Sequence, residues 1–361
     1  MFKKENYKAL EKKLEFNPNI YRQILKKIGF IDSFKGEWSV IEKQENRYLK
    51  ELKKIATIES IGSSTRIEGA ILTDDEIKQL LKDVKITKFE TRDQQEVVGY
   101  YEALSIILDN YDKIPIAENY IKQLHKILLG KSEKDARHRG DYKTSSNAVV
   151  AKYPDGTEKT IFKTTEPFLV NKEMSELIEW TNNNFNKDDF HPLIVVALFV
   201  YEFLSIHPFQ DGNGRLSRLL TTILLMKAGY QFVQYVSFER IVEQRKKEYY
   251  EALMDGQKNR YGEAEKIDLW LLFFLDSLET LIKKLQIKYE NYSNIGGYLN
   301  KRQKDIVDFI TNNQPVKLQD ILEKLPDYSK NTIKNDLIYL KNENAIEQVG
   351  KYKGATYILK K

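Results

Sequence analysis

One twelve-residue segment carries the types and spacing that chemistry needs: His207-Pro208-Phe209-Gln210-Asp211-Gly212-Asn213-Gly214-Arg215-Leu216-Ser217-Arg218. Histidine is the side chain suited to act as a base near neutral pH. Asp211 is a hard oxygen ligand of the kind Mg²⁺ takes when it also holds phosphate. Gly212 and Gly214 let the backbone approach a ligand closely. The chain then enters a helix, whose first N–H groups and dipole favour an anion. Arg215 and Arg218 are three apart, so they occupy neighbouring positions on that helix, and guanidinium forks match phosphate oxygens. A solvated Asn/Gly turn could hold any one of these residue types. A base, a metal carboxylate, an anion nest and two arginines together describe a phosphoryl-group site.

The elements around the segment read mainly as helix. Gly and Pro are sparse, at 17 and 8 in 361 residues. Pro192 opens an apolar helix through Ile206, expected to be buried on most sides, and Leu219–Ala228 continues beyond the segment. Ile41–Ile61 reads as one helical run, with Leu49, Leu52, Ile55, Ile58 and Ile61 at steps of three. Thr73 and Glu76 form a capping-box pattern. Arg92–Asp109 and Pro115–Leu129 are further helices. Gly140–Val170 is the exception: Ala148-Val149-Val150 and Thr160-Ile161-Phe162 flank a Pro154-Asp155-Gly156 turn, which predicts a β-hairpin. A lone hairpin is either a surface decoration or a flap that offers an open edge to another chain.

Asn291, Ser293, Asn294, Gly296 and Gly297 suggest a linker. Beyond it, helices at Arg302–Thr311, Leu318–Leu325 and Asn331–Lys341, with strands at Ala345–Val349 and Ala355–Leu359, follow the order of a winged helix. The net charge is +5, and residues 301–361 hold 12 basic against 8 acidic side chains. Most of the excess lies where a nucleic-acid contact would be sought first. Lys330, Asn331, Thr332, Lys334 and Asn335 would face DNA, with Tyr352 and Lys353 at the wing tip; Asp336 weighs against it, and a protein-interaction module fits the same fold. Cysteine is absent, which removes disulfides, thiolate metal sites and cysteine nucleophiles. No apolar run reaches the ~18 residues of a membrane helix, and the charged N-terminus lacks a signal's apolar core, so a cytoplasmic protein is expected.

The segment matches the Fic motif, H-x-F-x-D/E-G-N-G-R-x-x-R, at every defined position, and the resemblance extends over approximately Phe34 to Leu285. It implies a mainly α protein: a helical core with a β-hairpin flap, followed by a small winged helix-turn-helix domain. The expected division is 1–110 for an N-terminal helical region, 111–290 for the catalytic core and 300–361 for the winged helix. The implied activity is that of a protein adenylyltransferase, moving AMP from ATP to a Ser, Thr or Tyr hydroxyl. By resemblance, His207 would deprotonate the target and Phe209 would anchor the loop. Asp211 would hold Mg²⁺, Gly212, Asn213 and Gly214 would bind phosphate oxygens, and Arg215 and Arg218 would hold the β- and γ-phosphates. Ser64-Thr65-Arg66-Ile67-Glu68-Gly69 fits the family's inhibitory pattern, in which Glu68 would pair with Arg218; an ordinary helix end with Gly69 as terminator would look similar.

Further assignments rest on the same resemblance. Thr160, Ile161, Phe162 and Lys163 would form the flap strand that docks the target. Tyr250, with Tyr249 and Gln257, resembles the lining of the adenine pocket, although adjacent tyrosines also serve as core. His125, His138 and His191 read as structural or surface residues, and no spacing suggests zinc. The implied partners are ATP and a hydroxyl-bearing protein, this chain itself included, with DNA at the winged helix and a second copy as an assembly able to hold Glu68. No membrane partner is expected. Two rival readings share these residues: a nucleotide-sensing DNA-binding regulator, and removal of AMP or transfer of another nucleotide or phosphocholine at the same site.

Overall fold

Asn17 starts the first long helix, its side chain accepting the N–H groups of Asn19 and Ile20 at 3.0 and 3.1 Å. The structure is a computed structural model. It describes residues 7–43, 47–82, 89, 91–152, 158–187, 189–294, 299–342, 345–350 and 354–360. α1 (Lys8–Glu11) precedes α2 (Pro18–Glu42), and α3 (Arg47–Ile67) follows. The expected run from Ile41 to Ile61 is therefore divided between two helices. In its step-of-three row Leu49, Leu52 and Ile61 are buried, while Ile55 and Ile58 between them are half-buried, because three residues turn a helix only 300°. Ala56, Ser64 and Ile67 complete the buried face.

The capping box is formed before α4 (Asp74–Lys82): Thr73 N–H donates to Glu76 Oε2 at 2.8 Å, and Glu76 N–H donates to Thr73 Oγ1 at 3.3 Å. Thr91 and Gln94 build a second one at α5 (Arg92–Asn110). α6 (Glu118–Leu128) begins at Ala117, later than the expected Pro115. The hairpin pairs β1 (Ala148–Lys152) antiparallel to β2 (Glu158–Lys163), with an irregularity between Val149 and Val150. Its turn, 153–157, and the side chains of Thr160 and Ile161 lie outside the described residues.

α7 (Pro167–Lys187), α8 (Pro192–Ile206) and α9 (Asn213–Lys227) form the centre of the larger unit. α8 is buried from Val195 through Ile206, and α9 from Arg215 through Met226. A helix apolar all round needs neighbours all round, as α8 has; α9 is enclosed as well, with Arg215, Ser217, Arg218, Thr221 and Thr222 buried along it. α10 (Phe238–Gln244), α11 (Lys246–Gln257) and α12 (Asp268–Asn294) follow. The chain divides into two compact units, Met1–Lys43 with Lys53–Ile282, and Gln44–Leu52 with Lys283–Lys361.

The smaller unit contains α13 (Lys301–Asn313), β3 (Val316–Lys317), α14 (Leu318–Lys324), α15 (Lys330–Asn342), β4 (Ile346–Val349) and β5 (Thr356–Leu359). β5 lies between β3 and β4, antiparallel to both. β3, only two residues long, was not anticipated, since two residues show no alternation. Ile306, Ile310, Ile321, Ile333, Leu337 and Ile346 fill the core. Asp336 is 5% exposed and binds Arg302 and Gln303, so it puts no charge on the outer face of α15. Lys330, Asn331, Lys334 and Asn335 are exposed there; Tyr352 and Lys353 lie outside the described residues.

Candidate active site

The segment 207–212 is the turn between two buried helices, α8 and α9. This brings the C-terminal end of one dipole and the N-terminal end of the other to a single cavity. His207 caps α8 in the left-handed region, with φ 51° and ψ 61°. Its Nδ1 lies 3.3 Å from the Leu204 carbonyl, and a proton on Nδ1 leaves the lone pair on Nε2. Burial lowers its pKa to about 4, so the ring is neutral at pH 7.

The loop is fastened from inside. Phe209 is fully buried and stacks on His125, with ring centres 3.8 Å apart. Asn213 clamps the Phe209 backbone twice: its Oδ1 accepts the N–H at 2.9 Å and its Nδ2 donates to the carbonyl at 2.7 Å. His125 Nδ1 accepts from Gly140 N–H at 2.8 Å, so Nε2 carries the proton donated to the Asp211 carbonyl at 2.9 Å. Burial lowers its pKa to about 4. His125 is therefore structural, as expected, but its structural task is to hold this loop. Gly212 has φ 78°, and a Cβ there would sit 3.4 Å from His125 Nε2.

Asp211 is ionised below the usual carboxylate range. Burial opposes that charge, while Arg215, the Gly212 N–H and Arg92 favour it more strongly. Its carboxylate remains about a third exposed. Among the described residues no group of three or more metal-ligating side chains gathers. One ionised carboxylate at a cavity fits an ion that arrives with a triphosphate, because Mg²⁺ keeps few protein ligands beside substrate phosphates.

The two arginines separate. Arg218 is 3% exposed and spends its donors on the end of α3: Nη2 to Glu68 Oε1 at 2.8 Å, Nη2 to the Ser64 carbonyl at 2.9 Å and Nε to Ser64 Oγ at 2.8 Å. Glu68 stays ionised because the charges of Arg218 and then Arg215 outweigh its desolvation. Arg215 turns to Glu96 at 3.0 Å and to Asp211 at 3.4 Å, and does not line the cavity. Ser64 and Glu68 thus meet the site, and Gly69, at φ 107°, ends α3 beside them. Gly214 makes the approach feasible: a Cβ there would lie 2.2 Å from Glu68 Oε1.

The cavity has a volume of about 170 Å³, below the ~300–1,000 Å³ of usual ligand clefts. Its polar walls are His207, residues 210–214, Glu68 and Arg218; Leu204, Leu253 and Met254 are its apolar side. Tyr250 and Gln257 also line it, Tyr250 with its hydroxyl pushed up to about 12 by burial. Tyr249 also touches it, but packs on Trp270 and Phe273 as core. Of the flap residues, Phe162 is buried and Lys163 exposed.

Comparison with known proteins agrees with this geometry. Residues 115–225 match the Fic/DOC family, and residues 302–359 match a DeoR-like helix-turn-helix domain. Residues 115–225 are thus similar to a Fic domain. Proteins named protein adenylyltransferase Fic from Drosophila willistoni and Drosophila melanogaster are 29% and 30% identical over 207 residues. That stretch is 57% of this chain and 39% of theirs, so the chain spans about two fifths of the length of these curated relatives. A crystal structure of a Fic family protein from Desulfovibrio desulfuricans G20 shares the fold, with a TM-score of 0.62 and 20% identity over 96% of this chain and 97% of that one. The mainly α fold is thereby shared with that protein, and the C-terminal unit matches a helix-turn-helix domain. No helix among the described residues is long and apolar enough to cross a membrane.

Several side chains of this candidate site escaped sequence reasoning. Glu96 and Arg92 compete for the charges around Asp211, and Lys143 sits behind the loop. They come from α5 and from the stem of the hairpin, far from the motif in sequence, so no spacing could reveal them.

Proposed function

We propose that this chain is a protein adenylyltransferase that moves AMP from ATP to a Ser, Thr or Tyr hydroxyl, held inactive by Glu68. The observation that carries the proposal is the 2.8 Å contact of Arg218 with Glu68 beside a neutral His207. The Leu204 carbonyl orients the ring, and Nε2 takes the target's hydroxyl proton. The hydroxyl oxygen attacks the α-phosphorus in line, forming one P–O bond as the bond to pyrophosphate breaks. The first N–H groups of α9 and the loop glycines hold phosphate oxygens without reorganising, which is where most of the barrier reduction arises. Mg²⁺ held by Asp211 would supply charge neutralisation on the phosphates. Arg218 would hold the γ-phosphate once Glu68 releases it. The free edge of β2 would pair with the target segment, with Phe162 and Lys163 among the docking residues.

The fit is consistent with inhibition. Glu68 takes the guanidinium, and the remaining cavity is small for a nucleotide. Incubating wild type, Glu68→Gly and Glu68→Gly/His207→Ala with Mg²⁺ and ATP labelled at the α-phosphate tests this. Label that rises in Glu68→Gly and vanishes without His207 supports the reading. A folded Glu68→Gly protein that binds ATP yet labels neither itself nor lysate proteins would sink it. A second reading, nucleotide-dependent DNA binding, rests on the helix-turn-helix match and the exposed Lys330, Asn331 and Lys334; it predicts DNA affinity that survives His207→Ala.

A further inference from the structure

Lys143 is a buried cation that the transferase mechanism does not use. It is 4% exposed, and all three ammonium donors are directed: to Asn147 Oδ1 at 2.8 Å, Thr164 Oγ1 at 2.7 Å and the Ile206 carbonyl at 3.2 Å. Its backbone N–H donates to the Pro208 carbonyl at 2.8 Å. Asn147 precedes β1 and Thr164 follows β2, so they are the two stems of the hairpin. Ile206 and Pro208 flank His207 in the chain. Asn147 Nδ2 adds a bond to the Phe209 carbonyl at 3.1 Å, and Thr164 Oγ1 one to the Asn147 carbonyl at 2.9 Å.

Three physical facts converge on this residue. The Ile206 carbonyl is among the last four of α8 and has no partner within the helix. A cation at a helix C-terminus meets the negative end of the dipole. His207, left-handed and not glycine, holds a strained backbone state, so its surroundings must enforce it. Burial lowers the ammonium's pKa to about 8, against Glu166 and Glu173, which raise it, and with Arg260, which lowers it further. It is therefore mostly charged at neutral pH.

The geometry points to Lys143 as a positioning residue that locks both stems of the hairpin to the backbone on either side of His207. Where the target segment docks and where the base is aimed are then set by one ammonium. The inference rests on the transferase reading for its kinetics but not for its structure.

The test compares Lys143→Met and Lys143→Arg in the Glu68→Gly background of the full chain. Lys143→Met should lower kcat for AMP transfer about 10- to 100-fold, as small misplacements of reacting groups do, and raise KM for the protein acceptor. KM for ATP should stay within about 3-fold, because Lys143 does not line the nucleotide cavity. Lys143→Arg should recover most of kcat. A merely structural lysine would lower thermal stability and ATP affinity together, without this split. Independently, the His207 ring resonances, picked from the four histidines with His207→Ala, should shift in Lys143→Met. Should that variant fail to fold, Thr164→Val and Asn147→Ala each remove one acceptor and should reproduce the split in part. Parental kinetics with unmoved ring resonances would overturn the proposal. If Glu68→Gly transfers nothing, the transferase reading falls, and the ring resonances alone decide for or against Lys143.

Discussion

The base proposed here, His207, must be neutral to accept a proton, and burial keeps it so. With its pKa at about 4, the transfer rate of Glu68→Gly should be flat from roughly pH 7 to 5 and drop on the acid side only as pH approaches 4. A rate that halves near pH 6.5 would show an unperturbed ring. The same displacement affects stability. His125 is fully buried with its folded pKa, about 4, below the ordinary 6.5. Stability from this group is complete above 6.5 and drains as pH falls through 4, by an upper bound of about 3 kcal/mol. Denaturant unfolding of wild type and His125→Gln between pH 7 and 4 checks the sign: the variant, weaker at pH 7, should lose less on acidification. At Arg218 the competition is between Glu68 and a phosphate. Glu68→Gly should tighten ATP binding by about 5- to 150-fold, the usual range for one coupling contact, as calorimetry would read directly.

Between elements, the decisive meeting is the end of α3 against the start of α9. Gly214 is where they touch, and a methyl there would collide with Glu68 Oε1. Gly214→Ala should therefore destabilise the wild type by about 1–3 kcal/mol and the Glu68→Gly protein by less. The difference, read from a double-mutant cycle of unfolding free energies, measures the contact; equal costs in both backgrounds would mean that no such contact exists. The end of α3 is also clamped from the side. Arg66 Nε bonds Glu243 Oε1 at 2.6 Å, Arg66 Nη1 bonds the Leu72 carbonyl at 2.9 Å and Lys246 Nζ bonds the Ile67 carbonyl at 2.7 Å. Loosening the clamp should release Glu68 only part of the time. Glu243→Gln is expected to raise basal transfer several-fold, short of Glu68→Gly, since the Arg218 contact itself stays intact.

At the scale of the molecule, the larger unit contains the whole candidate site, and the winged helix has a core of its own. Ending the chain after residue 294 should leave ATP affinity of the Glu68→Gly protein within about 3-fold, because no cavity residue lies beyond Gln257. A larger loss would show that the second unit supports the site. The Fic motif, the capping box at Thr73, the apolar helix from Pro192 and the winged-helix order were all legible in the chain, because each is encoded by neighbours a few residues apart. The pairing of Glu68 with Arg218 was legible only through resemblance: 150 residues separate them, and no periodicity spans such a gap. What tertiary structure alone decided is the division of labour around the loop. It turned Arg215 away to Glu96, set His125 behind Phe209 and placed Lys143 between the hairpin and His207. Local spacing determines which groups share a turn of helix, but a buried charge goes wherever the packed helices leave it a partner.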